Sequence, residues 1–575
     1  MVTRLNRNPS FPDLPMSDFL YGHKGPWPQP SLDHPFGQAP GIYNIPAAEW
    51  TDWDTYVGSY YRDKFAVFGM EAGARSLVNA FDNLQGYPVM DDAEFTTLLC
   101  EGLYSKFLAP LDARDKRTFE AYITEPDKWE YWKSDYSCMR VVRKLWAGEA
   151  VAASIALVRR PRGGPEFAYE PVALMLQVHN PATGKFVDSE IFTPADGEAW
   201  RIGRYFVLQG AIHRINLIDH TEVHFPPDTI NAITKSVLPK RNLVLRLLQP
   251  HLWLSLCVNN TVLEGQRSLI NRDTWYPWSP FVAKGSEVRR LLPFGWYGST
   301  YYSAKASSDE PYADPYFDEP DGAYPPYRYT STPPTIPSRY GKFLNSYFEP
   351  VLKFVSGVVE HMSDTDWREI GYWAEHISEW LPGFPDREDL LGADGKTRNP
   401  KRLAEALAYF IWNASVRHSA DHQTLHAMID GGVANGKTVK PSPVPFLLRV
   451  KPPLTRGYTF EPVPVDPKEL NWGEREEQAL AKWLLNKPLC WPLDTISAYW
   501  ADLLFYMPHN SRTLTGVGVD LKGDPNLNYH FKEDALKDLV AQFHAELEAL
   551  EKDLKLNHPD MYFVPLDQIA SGIQY

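Results

Sequence analysis

Two stretches of the chain are apolar on almost every turn and still carry histidine at helical spacing. Residues 200–224, Trp-Arg-Ile-Gly-Arg-Tyr-Phe-Val-Leu-Gln-Gly-Ala-Ile-His-Arg-Ile-Asn-Leu-Ile-Asp-His-Thr-Glu-Val-His, predict one long buried helix. Residues 404–430, Ala-Glu-Ala-Leu-Ala-Tyr-Phe-Ile-Trp-Asn-Ala-Ser-Val-Arg-His-Ser-Ala-Asp-His-Gln-Thr-Leu-His-Ala-Met-Ile-Asp, predict a second. Around them the helical period recurs at 59–84, 92–108, 341–362, 366–380, 401–430, 474–486, 493–507 and 532–556. The segment from Asp228 to His251 predicts amphipathic helix with one break near Pro239. Residues 151–160 and 170–180 are short apolar runs joined through Arg-Gly-Gly-Pro, which predicts two strands. Thr193 and Asp196 are candidate caps for the first histidine helix. Proline-dense stretches at 306–338 and 440–467 predict long loops, and residues 1–50, without any period, an extended N-terminal arm. The pattern is that of a mostly α protein, with one large helical body over residues 51–575 and a few small strands.

Composition narrows the partners. With 575 residues, 44% of them apolar, the chain has enough material for a large core. A net charge of −14 and the lack of a basic run argue against nucleic acid and against an electrostatic hold on anionic lipid. The four cysteines, Cys100, Cys138, Cys257 and Cys490, have no C-x-x-C spacing, so neither a disulfide framework nor a thiolate metal site is indicated. No apolar leader and no run of about 18 apolar residues is evident. A cytoplasmic location is therefore expected, with at most transient membrane contact, and a monomer is the expected state.

The histidines are the candidate chemistry. His220 and His224 stand four apart on the first helix, as do His418, His422 and His426 on the second. Positions four apart share a helix face, with Cβ atoms about 5–6 Å from each other, close enough for one ion. A lone histidine on an apolar face is more often a hydrogen-bonded core residue. With 16 histidines in 575 residues, chance predicts about half of one such pair, and three are present. Two remote helices, each with an i, i+4 pair, suggest two halves of a four-histidine metal site. His213, seven residues before His220, lies too far along the axis to share that ion and is read, like His251 and His426, as structural or as a group behind the ligands. A zinc hydrolase built on His220-Thr-Glu-Val-His224 is a weaker alternative, because the general-base glutamate of H-E-x-x-H follows its first histidine directly and Thr221 intervenes here.

The run from Trp200 through His220, His224 and Asp228 to Leu247-Leu-Gln-Pro-His251 and Asn259 resembles the metal helix of lipoxygenases and the segment after it. Pro171-Val-Ala-Leu-Met-Leu-Gln and Ile191-Phe-Thr-Pro-Ala-Asp resemble the family's preceding strand and its I-F-T-P-x-D. Ser268-Leu-Ile-Asn resembles its S-L-I, Trp412-Asn-Ala-Ser-Val-Arg-His-Ser-Ala-Asp-His its second metal motif, and Ile569-Ala-Ser-Gly-Ile-Gln-Tyr its C-terminal tail. The likeness covers residues from about 170 onward and is to catalytic-domain-only bacterial and fungal forms, without an N-terminal β-sandwich.

The resemblance implies a lipoxygenase-type helical domain and one non-haem Fe per chain, with Mn as the alternative. The implied ligands are His220, His224, His418, His422 and the main-chain carboxylate of Tyr575. Its reaction is hydrogen-atom abstraction from the pentadiene of a polyunsaturated fatty acid such as linoleate, followed by O2 addition to give a hydroperoxide. Water or hydroxide takes the sixth position, and no side chain acts as a catalytic group. Gly265, Leu269 and Leu425 are the implied channel wall, with Val262 as an alternative to Gly265 for the position that directs oxygen. Asp219, Asp421 and Asn413 are candidates to accept from the ligands' second N–H groups.

Several positions depart from the family pattern. The first pair is H-x3-H, a spacing shared with fungal and manganese-using forms, which a regular helix accommodates where H-x4-H needs a π-bulge. Leu425 replaces a usual glutamine, Asp228 a glutamate, and Tyr575 a terminal Ile or Val. These departures keep open a catalytically altered homologue that binds an apolar ligand or isomerises hydroperoxides.

Overall fold

In the computed structural model, the described residues are 45–67, 90–146, 148–264, 281–296, 327–430, 432–434, 437–439, 447–461, 463, 512–519, 524–561 and 564–574. The helices expected at 474–486 and 493–507, most of the proline-dense loop at 306–338, part of the one at 440–467, and residues 1–44 of the arm lie outside them.

The first described helix, α1 (Ala47–Val67), begins directly after Pro46 and so crosses the expected boundary between arm and body. It starts earlier than the 59–84 periodicity indicated, because Trp50, Trp53 and Tyr56 give it an apolar stripe that lies across the arm's expected end. The predicted helix over 92–108 divides into α2 (Asp92–Cys100), capped by Asp91, and a tight turn over Leu103–Phe107. The chain then builds a five-stranded antiparallel meander: β1 (Leu108–Pro110), β2 (Trp129–Asp135), β3 (Ala153–Pro161), β4 (Glu170–Asn180) and β5 (Lys185–Asp188). β3 and β4 are the two predicted strands. Their central residues are buried on both faces, which is why they read as apolar runs and not as an alternation. One face buries Phe119, Ile155, Leu157, Ala173 and Met175. The other packs on α3 (Gly197–Arg214), the start of the first histidine helix.

Asp196 stands at the N-cap of α3 but does not cap it. Its carboxylate turns back instead to accept from the N–H and hydroxyl of Thr193, both at 2.7 Å. The Asp228–His251 prediction resolves into α4 (Asp228–Val237) and α5 (Leu243–Leu252), broken around Pro239, with Asn242 capping α5. After α6 (Ser255–Glu264) come α7 (Phe348–Glu360), α8 (Asp364–Trp380) and α9 (Pro400–Trp412), with α7 packed on α9, the helix that leads into the second histidine pair. The last helix, α11 (Asp534–Asn557), closes over α7, with Phe354 and Phe543 stacked 4.6 Å apart. Between α9 and α11 lies α10 (His418–Asp430).

The two histidine segments lie in the middle of this body. A continuous apolar core runs from Met90 to Ile569 around them. A smaller cluster joins Trp53 of α1 to Val223, Ala414 and Ile573, so the N-terminal helix, both histidine segments and the C-terminal tail share one packed patch.

Candidate metal centre

Each histidine segment is α-helical over its pair and π-helical just before it. In the first, α3 runs into a π turn over Ile215–Asp219 and then an α turn over His220–His224. In the second, α9 runs into a π turn over Asn413–Arg417 and then α10. A regular helix throughout was the expectation; the i, i+4 pairs do sit on α geometry, but each is delivered by a wider turn. A π turn displaces backbone carbonyls, and short polar side chains take them up. Thr221 donates to the carbonyls of Leu217 and Ile218, Asn216 to Ile212, and Ser415 to Ile411. Gly295 packs against the first π turn so closely that a Cβ there would lie 2.5 Å from the Ile218 carbonyl oxygen.

The four imidazoles of His220, His224, His418 and His422 are buried together, one ring nitrogen from each lying within 4.8 Å of the others. Nε2 of His224 is 3.0 Å from Nε2 of His220 and 3.1 Å from Nε2 of His418. The His422 ring centroid lies 4.6 Å from that of His418 and 4.8 Å from that of His220.

Asn259 decides what the His224 nitrogens carry. Its amide nitrogen donates to the His224 carbonyl and to Asp228 Oδ1, both at 2.9 Å. Its Oδ1 must then accept, and it lies 2.8 Å from His224 Nδ1. The proton of His224 is thereby on Nδ1, and the Nε2 lone pair faces the other rings. Burial, reinforced by repulsion from His220, lowers the His224 pKa to about 3, and burial with repulsion from the other three rings puts His418 well below its ordinary value. Neutral, convergent imidazoles are a metal-ligand set. Bonds of about 2.1 Å to one ion place neighbouring nitrogens about 3.0–3.4 Å apart, and the observed 3.0 and 3.1 Å put these three nitrogens within reach of one ion.

The remaining candidates are placed as follows. Asp421 Oδ2 lies 3.5 Å from His220 Nδ1. Asn413 accepts from Arg417, which in turn bonds Asp219 and Glu222. His213 bonds the Gln209 carbonyl and packs on Phe281, away from the four rings. Leu425 is fully buried in the core, and His426 is only partly buried. Gly265, Leu269 and Tyr575 lie outside the described residues, while Val262 packs at the edge of the core. Asn259 was legible as part of a motif but not as the partner of His224, since 35 residues separate them.

Tail residues 570–573 pack against both histidine segments. Ala570 N–H donates to Ser419 Oγ at 2.9 Å, His251 Nδ1 donates to the Ser571 carbonyl, and Ile573 packs with Val223 and Ala414. Gly572 passes so close to His251 that a Cβ would lie 2.8 Å from the latter's carbonyl oxygen.

Burial also lowers His213, His251 and His376 from 6.5 to about 4. The folded chain then binds fewer protons than the unfolded chain between about pH 4 and 6.5, so stability rises with pH across that window and is fully present above it. Thermal melts of the metal-free protein should show the midpoint falling as pH is lowered from 6.5 to 4; a flat profile would contradict these burials.

No family model matches the chain, and no curated protein matches it in sequence. Solved structures do match. A manganese lipoxygenase aligns over 97% of this chain and 95% of its own, with TM-score 0.62 and 14% identity. A fungal lipoxygenase from Fusarium graminearum aligns over 85% and 81%, with TM-score 0.57 and 15% identity. A coral 8R-lipoxygenase aligns over 97% and 78%, with TM-score 0.53 and 14% identity. The architecture built around these four histidines is therefore the lipoxygenase fold.

Proposed function

We propose that this chain is a non-haem metal dioxygenase that adds O2 to the 1,4-pentadiene of a polyunsaturated fatty acid, giving a hydroperoxide. The observation that carries this reading is the convergence of four buried imidazoles, one ring nitrogen of each within 4.8 Å of the others, inside a lipoxygenase fold. One of the similar structures is a lipoxygenase in complex with arachidonate.

His220, His224, His418 and His422 would hold one Fe or Mn, with the main-chain carboxylate of Tyr575 as the proposed fifth ligand. The bound metal would supply the one-electron oxidant that removes a hydrogen atom from the bis-allylic CH2. The protein's part is positional. Asn259 and Asp228 hold His224 in its ligand tautomer, the two π turns set the ring directions, and the apolar surroundings keep water from the carbon radical. Gly265, Leu269 and Leu425 are the proposed channel wall, with Val262 the alternative to Gly265 where oxygen is directed. The intervening Thr221 counts against a zinc hydrolase. No described helix is long and apolar enough to cross a membrane.

The test is reconstitution of the metal-free protein with Fe(II) or Mn(II), followed by linoleate and O2. Conjugated-diene absorbance should rise with one of the two metals and stay flat without metal or with Zn(II). Absence of any diene with either metal, in a protein shown to hold it, would leave the apolar-ligand binder or the hydroperoxide isomerase.

A further inference from the structure

Lys106 lies in the tight turn Leu103–Phe107, within the first 150 residues, where no chemistry was legible in the sequence. Its side chain is only 4% exposed. Its ammonium donates to Asp219 Oδ2 at 2.7 Å and to Asp421 Oδ1. Asp219 directly precedes His220, and Asp421 directly precedes His422. One lysine therefore ties the two histidine segments together at the residue before a candidate ligand on each. Arg417, directly before His418, bonds Asp219 Oδ1 at 2.8 Å and Glu222 at 3.3 Å from the other side.

Asp421 is placed to act on a ligand. Its Oδ1 takes the Lys106 ammonium and, at 3.4 Å, the Tyr340 hydroxyl, while its Oδ2 faces His220 Nδ1 at 3.5 Å. Without Lys106, two buried carboxylates would repel each other across the joint between the segments. An anionic acceptor on Nδ1 fixes the tautomer of a metal-ligating histidine and strengthens it as a ligand. A compact ammonium, with donors pointing in several directions, suits the bridge between two carboxylates on separate helices.

We propose that Lys106 is a positioning residue of the metal centre, joining the two histidine segments through Asp219 and Asp421 and holding the Asp421 carboxylate toward Nδ1 of His220. This rests on the reading of the four histidines as a metal site. The test compares full-length wild type, Lys106→Met, Lys106→Arg and Lys106→Met/Asp421→Asn, each stripped of metal, by Mn(II) affinity in competition with a chromophoric chelator and by the thermal midpoint of the metal-free chain. Lys106→Met should weaken Mn(II) binding by about 10–100-fold, and Lys106→Arg should recover most of the loss. The double variant removes one cation with one anion, should fold even where Lys106→Met does not, and should bind Mn(II) as weakly as Lys106→Met. A lower thermal midpoint with Mn(II) affinity within about twofold of wild type, in Lys106→Met or in the double variant, would overturn the proposal and leave a purely structural ion pair. If wild type itself bound neither Mn(II) nor Fe(II), the metal reading would fall, and the proposal with it.

Discussion

Replacing His418 by alanine is expected to empty the metal site while leaving the fold in place. His418 is fully buried at the centre of the group, its Nε2 3.1 Å from that of His224 and its ring stacked 5.3 Å from that of His220. Removing it takes away one of four nitrogens and opens a polar hole that water can fill. Metal content should drop from about one ion per chain to less than about a tenth, and diene formation should become undetectable. His426→Ala is the matched control. It lies four residues beyond His422 on the same helix but outside the four-histidine group, so metal content and activity should stay near wild type. Elemental analysis of both purified variants decides the matter. Equal metal in wild type and His418→Ala would contradict the site, and loss in His426→Ala would show that the wrong pair had been chosen.

The second large effect belongs to Asn259→Leu. Its amide does three things at once, accepting from His224 Nδ1 and donating to both the His224 carbonyl and Asp228 Oδ1. Leucine fills a similar volume and does none of them. The His224 ring becomes free to change tautomer, and two buried acceptors lose a donor. Metal affinity should fall by about 10–100-fold, the range for losing such a supporting partner. The lost donor adds about 1–3 kcal/mol of destabilisation, visible as a lower thermal midpoint. Unchanged metal affinity in a destabilised variant would show that Asn259 supports the helices and not the ligand.

The histidine pairs were legible because a spacing of four is a statement about one helix face, and no long-range information is needed to see it. The same reasoning could not choose between His418/His422 and His422/His426, since both pairs satisfy the period. The crossing of the two segments makes that choice, and crossing is a tertiary fact. The π turns at 215–219 and 413–417 left no signal, because the residues that compensate them, Thr221, Asn216 and Ser415, read as ordinary polar positions in a buried helix. Strands β3 and β4 were visible as apolar runs with a Gly-Gly break, whereas α1 was misplaced because its first turn, Ala47-Ala-Glu-Trp50, follows a segment with no period. Asp196 looked like a cap and serves Thr193 instead, a local competition that sequence does not resolve. Lys106 was out of reach for the plainest reason: its partners lie 113 and 315 residues away.

The most direct measurement is anomalous diffraction from crystals of the purified protein, collected at the Mn, Fe and Zn absorption edges. A single anomalous peak is expected at the Mn or the Fe edge, about 2.1–2.3 Å from Nε2 of His220, His224 and His418, with His422 also in reach. No peak among these four rings at any edge, or a peak at the Zn edge alone, would contradict that expectation.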